Sequence, residues 1–559
     1  MAYAQTTNAD KKASSKPKAD ELIKEHEQLL SARRNFESYW QSLHDYFYVE
    51  SSDFNKTYSS GNELDSTVLW DATTLESADV LASGFMNYLT PPTSKWSRLR
   101  HKDPAMGQNK AVADYLEMVM EEVNYTFNRS NFYDQMFPSY KSSGVFGTSV
   151  LFEEEDLMDE ARFSNIPLKQ VVLKEDARGR VVAYYLEFKY TANQAASRWG
   201  KEELSDEMQR EITDGKGDST EHKFLLYIAK REQREIQKTD KKNMPIQACW
   251  LDVKGRMVVE ESGYNEFPVM VHRFDKRPFI PWGFSPAMKA LPFARILQVI
   301  AKTNLRAMMK HTDPPVALPN NAFIAPFNSN PRAVNYYNKD MMDSKGIFSF
   351  GNFGDPKAGM MAIEYYTGQV KSMMFNDAFL AFNNITKEMN NPEVMERINE
   401  KMTILGPAVG RYLSEVLNPI VQRTIGILLR RGKLPDPPPE LMMNPNYEID
   451  FVGALAQAQR RSELNTLVTS LTMVSNMAQF TPEVLDKVNP DKITDEVWSI
   501  TGAPIKVLRD DDEVAQIRQG RAEQMAQQKQ MAELAGGAQI AKDAGSAASS
   551  FAKSKEAGK

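Results

Sequence analysis

Six carboxylates fall within the eight residues EEEDLMDE at 153–160, and carboxylates set this close can hold divalent ions for phosphodiester cleavage. Consecutive strand positions point to opposite faces, however, so the run also reads as a solvated segment. The stretch GVFGTSV at 144–150 lacks the lysine that a phosphate-cradling loop requires. Histidines at 26, 44, 101, 222, 272 and 311 stand apart, with no HExxH pair for zinc, and read as structural. Cys249, the single cysteine, can form neither an internal disulfide nor a CxxC motif, which points to a reducing compartment. There is no GxSxG elbow and no localised Ser, His and Asp set. The residues therefore predict no enzyme, no metal and no cofactor, with a metal-dependent nuclease built on the acidic run as an alternative.

The elements that would position such chemistry belong to a chain of 559 residues, room for roughly three or four core-sized units. Lys and Arg number 68 against 74 Asp and Glu, a net charge of −6, with 42% hydrophobic residues. This describes a soluble, ordered, intracellular chain. Proteins that hold nucleic acid by counterion release are basic, so contact with DNA here must be local or weak. The lysine-rich start, residues 1–18, has no apolar core of a signal peptide and reads as a flexible tail. No run approaches the roughly 18 apolar residues of a membrane span, so no membrane is expected.

Leu22, Leu29, Leu30, Phe36, Tyr39, Trp40, Leu43 and Phe47 recur at helical spacing and predict an amphipathic helix from Ala19 to about Tyr48. A second helical run with Leu75, Ala78, Leu81, Phe85 and Leu89 stops at Pro91-Pro92. Residues 111–143 read as helix. From about 145 the pattern turns to strands: a hairpin over 171–192 turning at ARGR, then 223–232, 247–264 and 267–276, with a short helix near 192–212. Helix returns over 287–311, interrupted by Pro292. An irregular insert at 316–364 follows, then a helix over 366–388. A long helical run at 392–432 contains Pro407 and Pro419, where kinks are expected. Arg430, Arg431 and Lys433 close it, where positive charge suits a helix C-terminus. Met308-Met309, Met341-Met342 and Met442-Met443 read as adaptable packing. Helix resumes beyond 450, and 511–559 is an Ala- and Gln-rich tail. The fold class is α+β, mainly helical.

Several segments in this order resemble the head-to-tail connector, or portal, proteins of short-tailed bacteriophages (podoviruses), over about residues 20–480. They are RRNFESYWQSLHDYF, DST at 65–67, LESADVLASGFMNYLTPPTSKW, FGTSVLFEEED, PWGFSPAMKALPFARILQ with DPPVALP, the run from Asn390 to Pro435, and YEIDFVGALAQAQR. Family members carry a threonine- and alanine-rich stretch where this chain has Asn390-Asn391-Pro392. The resemblance implies a ring of about twelve subunits at one capsid vertex of the virion, assembled in the host cytoplasm. Double-stranded DNA would pass through it during packaging and ejection. It implies as partners the terminase large subunit, a tail adaptor, and the major capsid and scaffolding proteins. A non-ring minor capsid or tail adaptor protein is the alternative.

By analogy 19–286 is the wing, 287–315 and 365–387 the stem helices, 316–364 the clip, 388–393 the tunnel loop, 394–449 a long kinked helix and linker, and 450–510 the crown. Lys371 and Lys387 are the expected channel charges. Phe323, Phe327, Tyr336, Tyr337, Phe348 and Phe353 make the clip the expected docking surface, because aromatic residues are enriched at interfaces. The turn from Lys387 to Glu393, with Glu388, Asn390 and Asn391, is expected to break the helix and act as a gate, since asparagine tolerates left-handed backbone and Pro392 suits a helix start.

Overall fold

The computed structural model describes residues 8–49, 69–107, 109–235, 237–238, 240–312, 316–317, 348–349, 356–385, 404–443, 446–452, 454–478, 488–501, 509 and 513–528. The chain is α+β and forms two compact units, Met1–Ser97 with Val119–Pro435, and Arg98–Met118 with Asp436–Lys559. No helix among the described residues is long and apolar enough to cross a membrane.

Helix α1 (Asn8–Phe47) begins eleven residues before the expected start. Lys18 Nζ bonds Glu261 at 2.9 Å, and Ala19, Leu22 and Ile23 enter a core of sheet residues that includes Tyr185, Leu225 and Leu251. Helix α2 (Thr73–Leu89) is followed by strand β1 (Ser97–His101), the short helix α3 (Pro104–Gly107), and helices α4 (Lys110–Arg129) and α5 (Phe132–Phe146). The expected single helix over 111–143 breaks between α4 and α5. Asn131 there bonds both Phe163 N and Phe163 O, at 2.9 and 2.8 Å, and the break lets Phe127 and Phe132 stack at 4.3 Å.

Strands β2 (Thr148–Asp156), β3 (Glu160–Asn165), β4 (Val171–Glu175), β5 (Val181–Thr191), β6 (Glu221–Lys230), β7 (Ile246–Asp252), β8 (Met257–Tyr264) and β9 (Val269–Arg273) make two antiparallel sheets, ordered β3-β2-β9 and β4-β5-β6-β7-β8. The expected turn at ARGR joins β4 to β5: Asp176 Oδ1 accepts from Arg178 N and Arg180 N at 2.8 and 2.9 Å, and Gly179 adopts φ 73°. Helices α6 (Ala192–Trp199) and α7 (Asp206–Thr213) lie between β5 and β6. The larger sheet is covered on both faces, by α1 on one and by an aromatic set containing Trp199, Phe224 and Trp250 on the other. That is why Phe224 to Ala229 reads as a continuous apolar run rather than an alternation.

Short strands β10 (Asp275–Lys276) and β11 (Gly283–Phe284) lead to α8 (Pro286–Thr312). Pro292 does not break α8. Proline leaves the carbonyl four residues earlier without its helical donor, and Tyr39 Oη donates to that carbonyl, Met288 O, at 3.1 Å. Beyond it, β12 (Val316–Ala317) pairs with β13 (Phe348–Ser349). Helix α9 (Pro356–Met373) starts inside the stretch expected to be irregular, with proline at the position a helix start favours. A turn at Met374–Phe375, with Phe375 at φ 59°, separates it from α10 (Asn376–Ile385). The chain is described again as α11 (404–412), a π turn over Leu413–Leu417, and α12 (Asn418–Arg430). Pro419 sits at the start of α12, directly after the π turn, where its missing N–H falls in the first turn of that helix.

In the second unit, β14 (Tyr447–Phe451) follows α13 (Pro439–Met443) and pairs with β1. Arg98 bonds Asp450 at 2.7 Å. Helices α14 (Ala454–Ala478), α15 (Pro490–Thr501) and α16 (513–528) complete it, with Arg518 paired to Asp491.

Candidate functional site

Helices α8 and α9 of the first unit pack together as a hairpin. Ser285 caps α8: its hydroxyl accepts from Met288 N at 3.0 Å and donates to Val145 O at 2.6 Å. Ala287, Ala290, Leu291, Ala294 and Leu297 form the buried face. Further along, the two helices approach closely where Asn304 lies over Gly359; a Cβ there would come within 2.2 Å of the Asn304 side chain. Gln298 is buried in α8 and clamps the segment before α2, its Oε1 accepting from Trp70 N and Asp71 N at 2.7 and 3.1 Å and its amide donating to Asp71 O at 2.7 Å.

Helix α2 seats the other arm of the hairpin. Lys371 at the end of α9 reaches Glu76 at 3.3 Å, and Phe379 of α10 packs so tightly on Gly84 that an added Cβ would stand 2.3 Å from its ring. Phe379 also contacts Phe85 and Tyr88 at ring distances of 5.7 and 5.6 Å.

The continuous helix α11–α12 is fixed to the sheets through buried polar groups. Tyr412 Oη meets Ser139 Oγ at 2.9 Å, and His272 lies between Ser143 Oγ (2.6 Å) and Ala408 O (3.3 Å). Burial holds His272 neutral, with a pKa lowered to about 3, so its Nε2–H donates to Ala408 O and its Nδ1 accepts from Ser143. From the π turn, Glu415 takes Arg273 Nη2 at 2.6 Å and Arg273 N at 3.0 Å, while Arg273 Nη1 and Lys276 Nζ share Glu175 at 2.5 and 2.7 Å. In α12, fully buried Arg423 donates to Glu153 O (3.2 Å) and Glu266 O (3.0 Å), and Thr424 donates to Glu153 Oε1 at 3.0 Å. Burial pushes the Glu153 carboxyl up to about 8, against the pull of Arg423.

The acidic run is therefore not a uniformly solvated segment: Glu153 is in the core, a correction whose cause is the covering of this part of β2 by Arg423 and Thr424 of α12. The carboxylates disperse among several cations. Glu154 faces Arg198 (3.7 Å), Glu155 faces Arg430 (2.7 Å), Asp159 faces Arg129 (3.5 Å), and Glu160 faces Arg129 and Lys433 (3.6 and 3.7 Å). Among the described residues no three His, Cys, Asp or Glu side chains are grouped to hold a metal ion. Arg430 and Lys433 have carboxylate partners in addition to their favourable place at a helix C-terminus.

Of the residues expected to carry function, Lys371 is described, and it is tied to Glu76. Phe348 lies in β13, paired with Ala317. Phe323, Phe327, Tyr336, Tyr337, Phe353, Lys387, Glu388, Asn390 and Asn391 lie outside the described residues. Sequence reasoning missed Gln298, Arg273, Glu415 and the inward side of the Glu153–Arg423 pair. For Arg423 a signal existed, a lone arginine followed by the apolar run IGILL in an amphipathic helix.

The sequence pattern of the bacteriophage head to tail connecting proteins matches residues 19–508. The portal protein of Salmonella phage epsilon15 is 30% identical over 529 residues, 94% of either chain. The probable portal protein of Bordetella phage BPP-1 is 28% identical over 529 residues, 94% of this chain and 95% of the other. The matched span takes in both sheets, the α8–α9 hairpin and α11–α12, and the chain belongs to the bacteriophage head to tail connecting protein family, with the function of a phage portal protein.

Proposed function

We propose that the chain is one subunit of a closed ring of about twelve copies at one capsid vertex, through which double-stranded DNA is packaged and later ejected. The observation that carries this reading is the family match along residues 19–508. In this assignment the wing is 19–286, the stem helices are 287–315 and 365–387, the clip is 316–364, the tunnel loop is 388–393, and the crown is 450–510. The stem so assigned overlaps α8, the end of α9 and α10. The clip docks the terminase large subunit during packaging and the tail adaptor afterwards through Phe323, Phe327, Tyr336, Tyr337, Phe348 and Phe353. Capsid and scaffolding proteins surround the wing.

The ring conducts and does not catalyse. Lys371 and Lys387 supply small rings of positive charge, and the uncharged amides of Asn390 and Asn391, beside Glu388, touch DNA without holding it. At −6 per subunit, the assembled wall repels a polyanion on average, which favours sliding over adhesion. Native mass measurement of the purified chain tests the proposal: a closed oligomer of about twelve copies is expected. A monomer at high concentration that cleaves DNA when metal is added would overturn it.

A further inference from the structure

The turn between β10 and β11 carries Arg277, Pro278 and Phe279 at the surface. Phe279 is 99% exposed and sits at φ 63°, in the left-handed region that a bulky side chain enters only at a cost. No burial within its own chain offsets that cost. The turn is nevertheless held in place: Lys276 Nζ donates to Ile280 O at 2.6 Å and to Arg277 O at 3.3 Å, and the Arg277 guanidinium stacks 3.8 Å over Phe284. The β4–β5 turn lies beside it, since Gly179 O accepts from Arg273 Nη1 at 3.0 Å and a Cβ at Gly179 would meet Lys276 Nζ at 3.7 Å.

The two turns form one patch whose surplus charge is positive. Its carboxylates are engaged, Glu175 by Arg273 and Lys276, Asp176 by Arg180, and Asp275 by Arg411. Exposed Arg178 and Arg277 have no carboxylate at ion-pair distance among the described residues, Asp176 acting on Arg178 only from farther away. An exposed aromatic ring flanked by guanidinium groups has the composition of an interface anchor.

Strand β5 separates this patch from its electrostatic opposite. The β4–β5 turn precedes the strand, and α6 and α7 follow it, so at about 3.3 Å per residue the two ends stand about 33 Å apart. Residues 201–221 hold eight Asp and Glu against three Lys and Arg. Glu207 is paired with Lys254, Glu211 with His222 and Glu221 with Lys189. Glu202, Glu203 and Asp214 are exposed, with no cation at ion-pair distance among the described residues, and half-buried Ile212 of α7 offers apolar surface two residues from Asp214. Like charge disfavours pairing either end with itself. Opposite charges at opposite ends of one sheet fit head to tail, the heterologous geometry that generates a ring when the rotation closes.

We infer that the Phe279 turn, with Arg178 and Arg277, docks on the α6–α7 end of a neighbouring copy of this chain, where Glu202, Glu203 and Asp214 receive the guanidinium groups and Ile212 receives the ring. The inference rests on the reading of the chain as a ring subunit and names the surfaces that join one subunit to the next. In the free subunit the left-handed Phe279 is both strained and wet. Docking buries it, so the strain is offset only on assembly.

The test is native mass of the full chain across a concentration series. Arg178→Glu with Arg277→Glu makes both ends acidic, and Glu202→Lys with Glu203→Lys and Asp214→Lys makes both ends basic. Each variant alone should raise the concentration for half-assembly by about tenfold or more, and an equimolar mixture should assemble as the parent does, with the two variants in equal number. Phe279→Gly removes the anchor and relieves the backbone. It should weaken assembly while its free subunit unfolds at or above the parent's temperature, whereas a residue needed only for folding would lower that temperature. Closed rings of either charge variant at the parent's concentration would overturn the inference and leave the ring reading standing. Variants that fail singly and do not rescue each other on mixing, with Phe279→Gly assembling normally, would overturn it as well. Open chains of varied length in the parent, broken by either variant and rejoined by mixing, would uphold the inference and overturn the closed ring; a parent that stays monomeric at high concentration overturns both. An Arg178→Glu, Arg277→Glu variant that assembles normally but no longer joins the capsid protein would assign the turn to another protein's acidic surface and overturn the inference.

Discussion

Replacing Glu153 by Gln should stabilise the protein at alkaline pH. The carboxyl is fully buried, one oxygen accepts from Thr424, and the other has no hydrogen-bond partner. Arg423 spends its closer bonds on backbone carbonyls and stands 3.9 Å from the carboxylate. The folded pKa of about 8 lies above the ordinary 4.5, so the folded chain holds this proton more tightly than the unfolded one. Stability from this group is fully present below about 4.5 and is lost as pH rises through 8, at up to about 1.4 kcal/mol per pH unit, or about 5 kcal/mol across the window. Gln keeps the acceptor for Thr424 and does not ionise. Denaturant unfolding from pH 5 to 9 should therefore show the variant within about 1 kcal/mol of the parent at pH 5 and more stable by about 3–5 kcal/mol at pH 9. The reasoning fails if the variant loses about 3–5 kcal/mol at neutral and alkaline pH, because that is the result of breaking a buried ion pair.

Gly84→Ala should cost about 1–3 kcal/mol by driving a methyl into the Phe379 ring, and Phe379→Leu added to it should recover part of the loss in thermal unfolding. Gln298→Ala should speed hydrogen exchange at the Trp70 and Asp71 amides without changing exchange in α8 at large, since those two amides lose their acceptor. Lys371→Glu should reduce stability by no more than about 1 kcal/mol, the scale of a surface pair, and adding Glu76→Lys should restore it. If Lys371 supplies charge to the channel, DNA packaging stays impaired in that swapped pair; normal packaging in both variants removes Lys371 from the channel.

Local periodicity made much of the fold legible. The apolar stripe of α1, the stop at Pro91-Pro92 and the ARGR turn follow from rules that act over a few residues, and the structure has all three features. Boundaries set by distant partners were not legible. The extension of α1 depends in part on Lys18 meeting Glu261, the α4–α5 break on Asn131 meeting Phe163, and the survival of α8 across Pro292 on Tyr39 meeting Met288 O. Each joins residues far apart in the chain, which no window of sequence contains. The same limit hid the inward face of the acidic run, because Glu153 looks like its neighbours until Arg423 is placed beside it.

The π turn at Leu413–Leu417 has a rotational consequence. A π turn accommodates one residue more than an α turn, and one residue corresponds to about 100° of helical phase. Everything after the turn is thereby rotated about the axis relative to an uninterrupted α-helix. Tyr412, before it, is aimed at Ser139, and Arg423 and Thr424, after it, are aimed at Glu153. One rod thus presents two differently indexed faces, one to helix α5 and one to strand β2, and the insertion that makes the turn acts as a phase shifter. Its length is consequently as constrained as the identity of any side chain it aligns.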